Sequence, residues 1–153
     1  MTDSIEVCSY LSPKRVLSLE AGKKQEVLEL LADLIAEDPL VKDPIEMKKA
    51  IIAREKVMST GIGNYVAIPH ARCAGVEDFV VAFARIEAGM EFDAVDNKPV
   101  HLVFMIVANE HQDKKYIKLL SRLMLRMRKE QLIERLMQTN NAEDLYRILV
   151  ESK

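Results

Sequence analysis

Apolar residues recur along this chain with two different periods. Between Lys24 and Ala36, Val27, Leu30, Leu31, Leu34 and Ile35 fall at helical spacing, and Pro39 lies beyond the end. Asp43-Pro44 reads as an N-cap followed by proline at the first helical position. The helix it opens is expected to run to about Met58, with an inner stripe of Met47, Ala50, Ile51, Arg54 and Met58. Arg15–Leu19, Val66–Ile68, Phe79–Ile86 and Val100–Val107 read as strands. The last is almost continuously apolar, as a central strand covered on both faces would be. Asp113–Arg128 is expected as a helix with Ile117, Leu120, Leu123, Met124 and Met127 inward, and Glu130–Met137 as a shorter one. Asn141-Ala-Glu-Asp144 resembles a capping box ahead of a final helix, Leu145–Val150. Strands alternating with helices predict an α/β domain with helices on both faces of a sheet.

At 153 residues the chain fits one domain, from about Ile5 to Val150, under the prior of roughly 100–200 residues per domain. A net charge of −2 gives no global sign of nucleic-acid or membrane binding. The apolar run Leu102–Ala108 is too short to span a bilayer, and the N-terminus shows no signal-peptide pattern. The two cysteines, Cys8 and Cys73, have no CxxC spacing and read as reduced thiols. A soluble, cytoplasmic protein is the expectation.

The stretch Gly61-Ile62-Gly63-Asn64-Tyr65-Val66-Ala67-Ile68-Pro69-His70-Ala71-Arg72 proposes a chemistry. Two glycines set a turn, an apolar run follows, and a proline stiffens the backbone immediately before a histidine. A neutral imidazole held this way can attack a phosphoryl group and carry it as a phosphoramidate. The resulting anion needs donors: the Arg54 guanidinium, backbone N–H groups around Gly61 and Gly63, or the hydroxyls of Ser59 and Thr60. Taken alone, the Pro-His pair reads more readily as a structural histidine in a loop, and Arg54 alone as a side chain snorkelling from its helix. His70, His101 and His111 match no common metal spacing. Cys73, three residues past His70, points to the other face of a strand, so no Cys–His dyad is expected. His101 reads as structural. The lysines and arginines between Lys114 and Lys129 read as a solvated face that an acidic partner would also fit.

These residues closely resemble a known signature. Arg54-Glu55-Lys56, Ser59-Thr60-Gly61-Ile62-Gly63-Asn64 and Ala67-Ile68-Pro69-His70 resemble the active-site motif of fructose/mannitol-type IIA domains. These belong to the bacterial phosphoenolpyruvate-dependent sugar phosphotransferase system, and their relatives include the nitrogen-type regulatory IIA proteins. Tyr10-Leu11-Ser12-Pro13, the run from Phe92 to Phe104 and Leu119-Leu120-Ser121 extend the match over essentially the whole chain.

The resemblance implies a three-layer α/β/α sandwich with a central mixed sheet. It implies that His70 accepts a phosphoryl group from the phosphocarrier HPr or a homologue, and that Arg54 steadies that group. It implies a IIB component or a regulated protein as the next partner, and no metal or organic cofactor. Two positions depart from the pattern. Tyr65 stands where many relatives have glycine, and its ring is expected either to narrow the approach to His70 or to join a partner surface. Tyr116 aligns with a second active-site histidine of many relatives, for which His111 is a candidate spatial substitute. A phenol can donate to a phosphate but cannot become a cation. The alternative to a working carrier is therefore a phosphorylation-impaired regulatory module with the same fold.

Overall fold

A computed structural model describes residues 6–151; the expected domain boundary at Ile5 lies outside the described residues. After a 3-10 turn (Glu6–Tyr10) come β1 (Leu11–Leu19), α1 (Lys24–Ala36), α2 (Pro44–Val57), β2 (Gly61–Gly63), β3 (Val66–Ala67), β4 (His70–Cys73), β5 (Val80–Met90) and β6 (Val100–Asn109). Helices α3 (Asp113–Arg126), α4 (Glu130–Met137) and α5 (Ala142–Glu151) complete the order.

The strands form one mixed sheet in the order β1-β5-β6-β3-β2. β5 and β6 pair antiparallel, whereas β1 runs parallel to β5, and β3 and β4 run parallel to β6. Side-chain alternation sorts β6 into two faces. Leu102, Phe104 and Ile106 join α3, α4 and α5 in one core, and Val103, Met105 and Val107 join α1 and α2 in the other. The architecture is thus the three-layer α/β/α sandwich that the sequence predicts. Among the described residues no helix is long and apolar enough to cross a membrane.

Several local expectations are corrected. β1 starts at Leu11 rather than Arg15; an edge strand accommodates Pro13 because the lost N–H has no ladder partner to serve. The Gly61–Gly63 segment is a short strand paired antiparallel with β3, not the turn itself. The turn is Asn64-Tyr65, with φ of 54° and 70°, the positive pair that a two-residue hairpin needs.

On α2 the helix ends at Val57, and Met58 is extended (φ −161°, ψ 135°), so Met58 leaves the helical period and is exposed. Glu55 is buried in its place. On α1, Leu30 sits at the margin of the buried stripe and is exposed. On α3, Ile117 is exposed, and Tyr116 and Leu119 point inward with Leu120 and Leu123. The last helix begins three residues early because Asn141 itself is the cap: its Oδ1 accepts from Asp144 N at 2.8 Å.

Candidate functional site

The site begins at the end of α2. The Asp43 carboxylate caps the first turn, accepting from Glu46 N at 3.1 Å, and Pro44 fills the first helical position. Two residues before the end, the buried Glu55 carboxylate accepts from Thr60 N (2.9 Å) and Thr60 Oγ1 (2.6 Å) and pairs with Lys24 Nζ (3.0 Å). Thr60 O in turn accepts from Ile68 N at 3.0 Å. Glu55 therefore fixes the loop that aligns the strand segment leading to His70.

That segment is one strand line broken at Ile68-Pro69. Val66 and Ala67 pair with Leu102 and Val103, and the run resumes at His70 opposite Ile106. Pro69 has no N–H to donate, but its carbonyl still accepts from Ile106 N at 2.9 Å. The break leaves the Ile68 carbonyl for His70, whose Nδ1 lies 2.5 Å from it. A carbonyl can only accept, so Nδ1 carries the proton and Nε2 keeps the lone pair.

β4 alternates: His70 and Arg72 lie on one face, while Ala71 and Cys73 are buried against α1 and α2 on the other. Cys73 is accordingly on the face opposite His70. β4 pairs only with β6 among the described residues, so its outer edge is open between the two helical layers. There a cleft of about 560 Å³ is lined by Ala50 and Arg54 of α2, His70, Ala71 and Arg72 of β4, and Glu110, Asp113 and Tyr116 around the start of α3. It runs along β4 to the carboxyl end of β6, the end of the sheet where open α/β folds place their ligand sites.

Burial pushes the His70 imidazole below its ordinary value of 6.5, and the Arg54 guanidinium pushes the same way; the Ile68 carbonyl and Glu55 oppose them. The ring is thus neutral at physiological pH. Arg54 donates from Nη1 to Met58 O at 3.0 Å, which ties its head to the end of its own helix. Tyr116 faces His70 with ring centroids 5.8 Å apart. Burial raises its phenol well above the ordinary value of 10, against the pull of Arg72 and Arg54. The guanidinium of Arg72 lies 5.2 Å over the Tyr116 ring and pairs with Asp113.

Of the residues singled out in the sequence, His70, Arg54 and Tyr116 come together in the cleft. Thr60, Gly61 and Gly63 do not line it. The Thr60 hydroxyl is committed to Glu55, the Ser59 hydroxyl donates to Phe92 O (2.6 Å), and Gly61 N donates to Ser59 Oγ (3.1 Å). The glycines instead allow close packing of the hairpin. A Cβ on Gly61 would sit 2.8 Å from Ala94 Cα, and Gly63 has φ +95°.

His111 is largely exposed, 3.7 Å from Glu110, and does not line the cleft. The Tyr65 ring packs edge-on against His101 and under Lys98, away from the cleft lining. The basic residues of α3 do not line it either. His101 is tied through Nδ1 to Ile86 O at 2.9 Å, a structural contact. Among the described residues no three His, Cys, Asp or Glu side chains gather as a metal-binding group.

The sequence reading missed Glu55, Arg72, Glu110 and Asp113. Arg72 had a signal: two residues beyond His70 on a strand means the same face. Glu55 stands in the Arg54-Glu55-Lys56 motif, but its burial depends on a loop and on a lysine from another helix, which no local pattern shows.

The family described as "Phosphoenolpyruvate-dependent sugar phosphotransferase system, EIIA 2" matches residues 9–152. A nitrogen regulatory protein of Pseudomonas aeruginosa is 34% identical over 148 residues, covering 96% of each chain. A fructose-specific EIIA component of Haloferax volcanii is 32% identical over 145 residues, covering 94% of each. The crystal structure of the nitrogen regulatory protein IIA-Ntr of Neisseria meningitidis superposes with a TM-score of 0.84 at 33% identity, covering 94% of this chain and 99% of that one. With the match running from the 3-10 turn through α5, this chain belongs to the type 2 EIIA family of the phosphoenolpyruvate-dependent sugar phosphotransferase system.

Proposed function

We propose that this protein is a phosphocarrier whose acceptor is Nε2 of His70, within a single domain of about residues 5–150. The observation that carries the reading is the Nδ1 contact with Ile68 O, which leaves Nε2 as the one lone-pair nitrogen of a neutral ring lining the cleft. The donor is a phosphohistidine of an HPr-type carrier, in the cytoplasm where such carriers work. As the phosphoryl group passes across, the P–N bond to the donor imidazole breaks and its electron pair returns to that nitrogen. The lone pair of His70 Nε2 forms the new P–N bond. The proton stays on Nδ1, donated in the hydrogen bond to the Ile68 carbonyl, so the ring gains positive charge while the terminal oxygens keep the negative charge. Arg54, which lines the same cleft, would receive those oxygens. None of these steps uses a metal or an organic cofactor.

Incubation with phosphoenolpyruvate, enzyme I and HPr, followed by intact-mass measurement, tests the reading. One acid-labile phosphoryl adduct is expected, absent from His70→Ala. An adduct that survives His70→Ala refutes it.

Similarity to a nitrogen regulatory protein along 96% of both chains favours a regulatory use of the same event. The phosphoryl charge at the cleft would then create or remove a protein interface. Pull-downs with phosphorylated and unphosphorylated protein should return different partners. Identical sets, together with efficient transfer to a IIB component, would mark a transport role instead.

A further inference from the structure

We propose that Arg72 is a second phosphoryl-binding cation, held on Asp113 in the unphosphorylated protein and transferred to the phosphoryl group once His70 carries it. The proposal rests on His70 being the acceptor. Its geometric basis is β4: His70 and Arg72 leave the same face two residues apart, about 6.5 Å along a strand. Both line one cleft, together with Arg54.

The charge balance of that cleft points the same way. Unphosphorylated, its lining sets two guanidiniums, Arg54 and Arg72, against two carboxylates, Glu110 and Asp113. A phosphoryl group adds close to two negative charges. Arg54 alone cannot balance this while Glu110 and Asp113 stand nearby. The phenol of Tyr116 is neutral and supplies no cation.

The present partner of Arg72 is one that a phosphoryl group can displace. Asp113 is exposed, with 65% of its side-chain surface accessible, and an exposed ion pair holds only weakly. A phosphoryl group offers more charge and three acceptor oxygens matched to the guanidinium fork. The Tyr116 ring beneath the guanidinium supports Arg72 beside His70 without competing for its hydrogen bonds. The exchange leaves the Asp113 carboxylate without its cation at the first turn of α3, so phosphorylation becomes legible on the protein surface at that helix end.

A set of variants distinguishes this role from a structural one. If the Arg72–Asp113 pair merely secured the start of α3, Arg72→Gln and Asp113→Asn would have the same effect. The proposal requires opposite effects. Arg72→Gln should slow phosphoryl uptake from phosphorylated HPr by about 10- to 100-fold, the loss expected for one charge-assisted contact. It should also raise the pKa of the phosphoryl group followed by 31P NMR. Arg72→Lys should recover part of the rate, and Asp113→Asn should leave uptake equal or faster and lower the phosphoryl pKa. These last two variants decide the question even if Arg72→Gln fails to fold.

Parallel losses in Arg72→Gln and Asp113→Asn, or uptake within twofold of wild type in Arg72→Gln with an unmoved phosphoryl pKa, overturn the proposal while His70-dependent phosphorylation stands. Absence of any adduct on the wild-type protein overturns the His70 reading and this proposal together.

Discussion

Replacing Glu55 with alanine should cost this protein about 3 kcal/mol, and the structure says where the loss arises. The carboxylate receives the Thr60 N–H and hydroxyl, and Thr60 is only 5% exposed. Each stranded buried donor costs about 1–3 kcal/mol. Lys24, also paired with Glu55, keeps 25% of its side-chain surface accessible and can turn to water, which limits its share to about 0–1 kcal/mol. The sum runs from about 2 to 7 kcal/mol, and the lower half applies because the space left by the carboxylate can admit water to the orphaned donors. At about 2–4 °C per kcal/mol for a chain of this size, the thermal midpoint should fall by about 6–12 °C. Glu55→Gln keeps the volume and one carbonyl oxygen and should lose less. Urea unfolding followed by circular dichroism measures both. A loss below about 1 kcal/mol for Glu55→Ala would refute the claim that this carboxylate anchors the loop. The same variant should slow phosphorylation, because Thr60 O holds Ile68, and Ile68 O orients the His70 ring.

The remaining expectations concern the cleft and its supports. Because burial holds the His70 pKa below 6.5, the unfolded chain binds the extra proton first as pH falls. Stability should therefore be complete above pH 6.5 and decline below it until the folded-state pKa is passed, and His70→Gln should flatten that part of the curve. The phosphoryl-uptake rate should stay level through pH 6.5 and fall only as pH drops through the lower folded-state pKa; a rate that rises on acidification would contradict a neutral nucleophile. Tyr116→Phe should accept phosphoryl groups within about threefold of wild type, since a neutral phenol offers one hydrogen bond at most; a loss beyond tenfold would make the hydroxyl a phosphate ligand. Tyr116→His compares the same wall with an imidazole, and an increase in rate would show that the tyrosine limits transfer. Gly61→Ala should destabilise by about 1–3 kcal/mol, because its Cβ meets Ala94 backbone and side chain at 2.8 Å. Burial pushes the Cys8 thiol up to about 12 and raises that of Cys73, so alkylation near pH 8 should track unfolding at both; rapid labelling of the folded protein would contradict their burial.

What the sequence determined by itself was whatever repeats locally or marks a boundary. Helical spacing in Val27–Ile35, the Asp43-Pro44 start, the apolar run of β6 and the Asn141 cap all follow from periodicity and backbone chemistry within a few residues. The Pro69-His70 pair announced a held imidazole, and the motif around it carried the family. Where a helix face borders the stripe, local pattern could not decide: Ile117 and Tyr116 differ by one residue, and only the sheet beneath α3 selected the tyrosine. His70, Arg54 and Tyr116 were named by the motif; tertiary structure decided how they meet and which other residues join them. Tyr116 reaches His70, and Asp113 reaches Arg72, because α3 starts at the carboxyl end of β6, beside β4; Arg54 arrives from the opposite layer because α2 packs across the same edge. Glu55 is buried because Thr60 and Lys24 converge on it. These are contacts between segments far apart in the chain, set by how two helical layers close over one sheet edge, and no one-dimensional pattern encodes that distance.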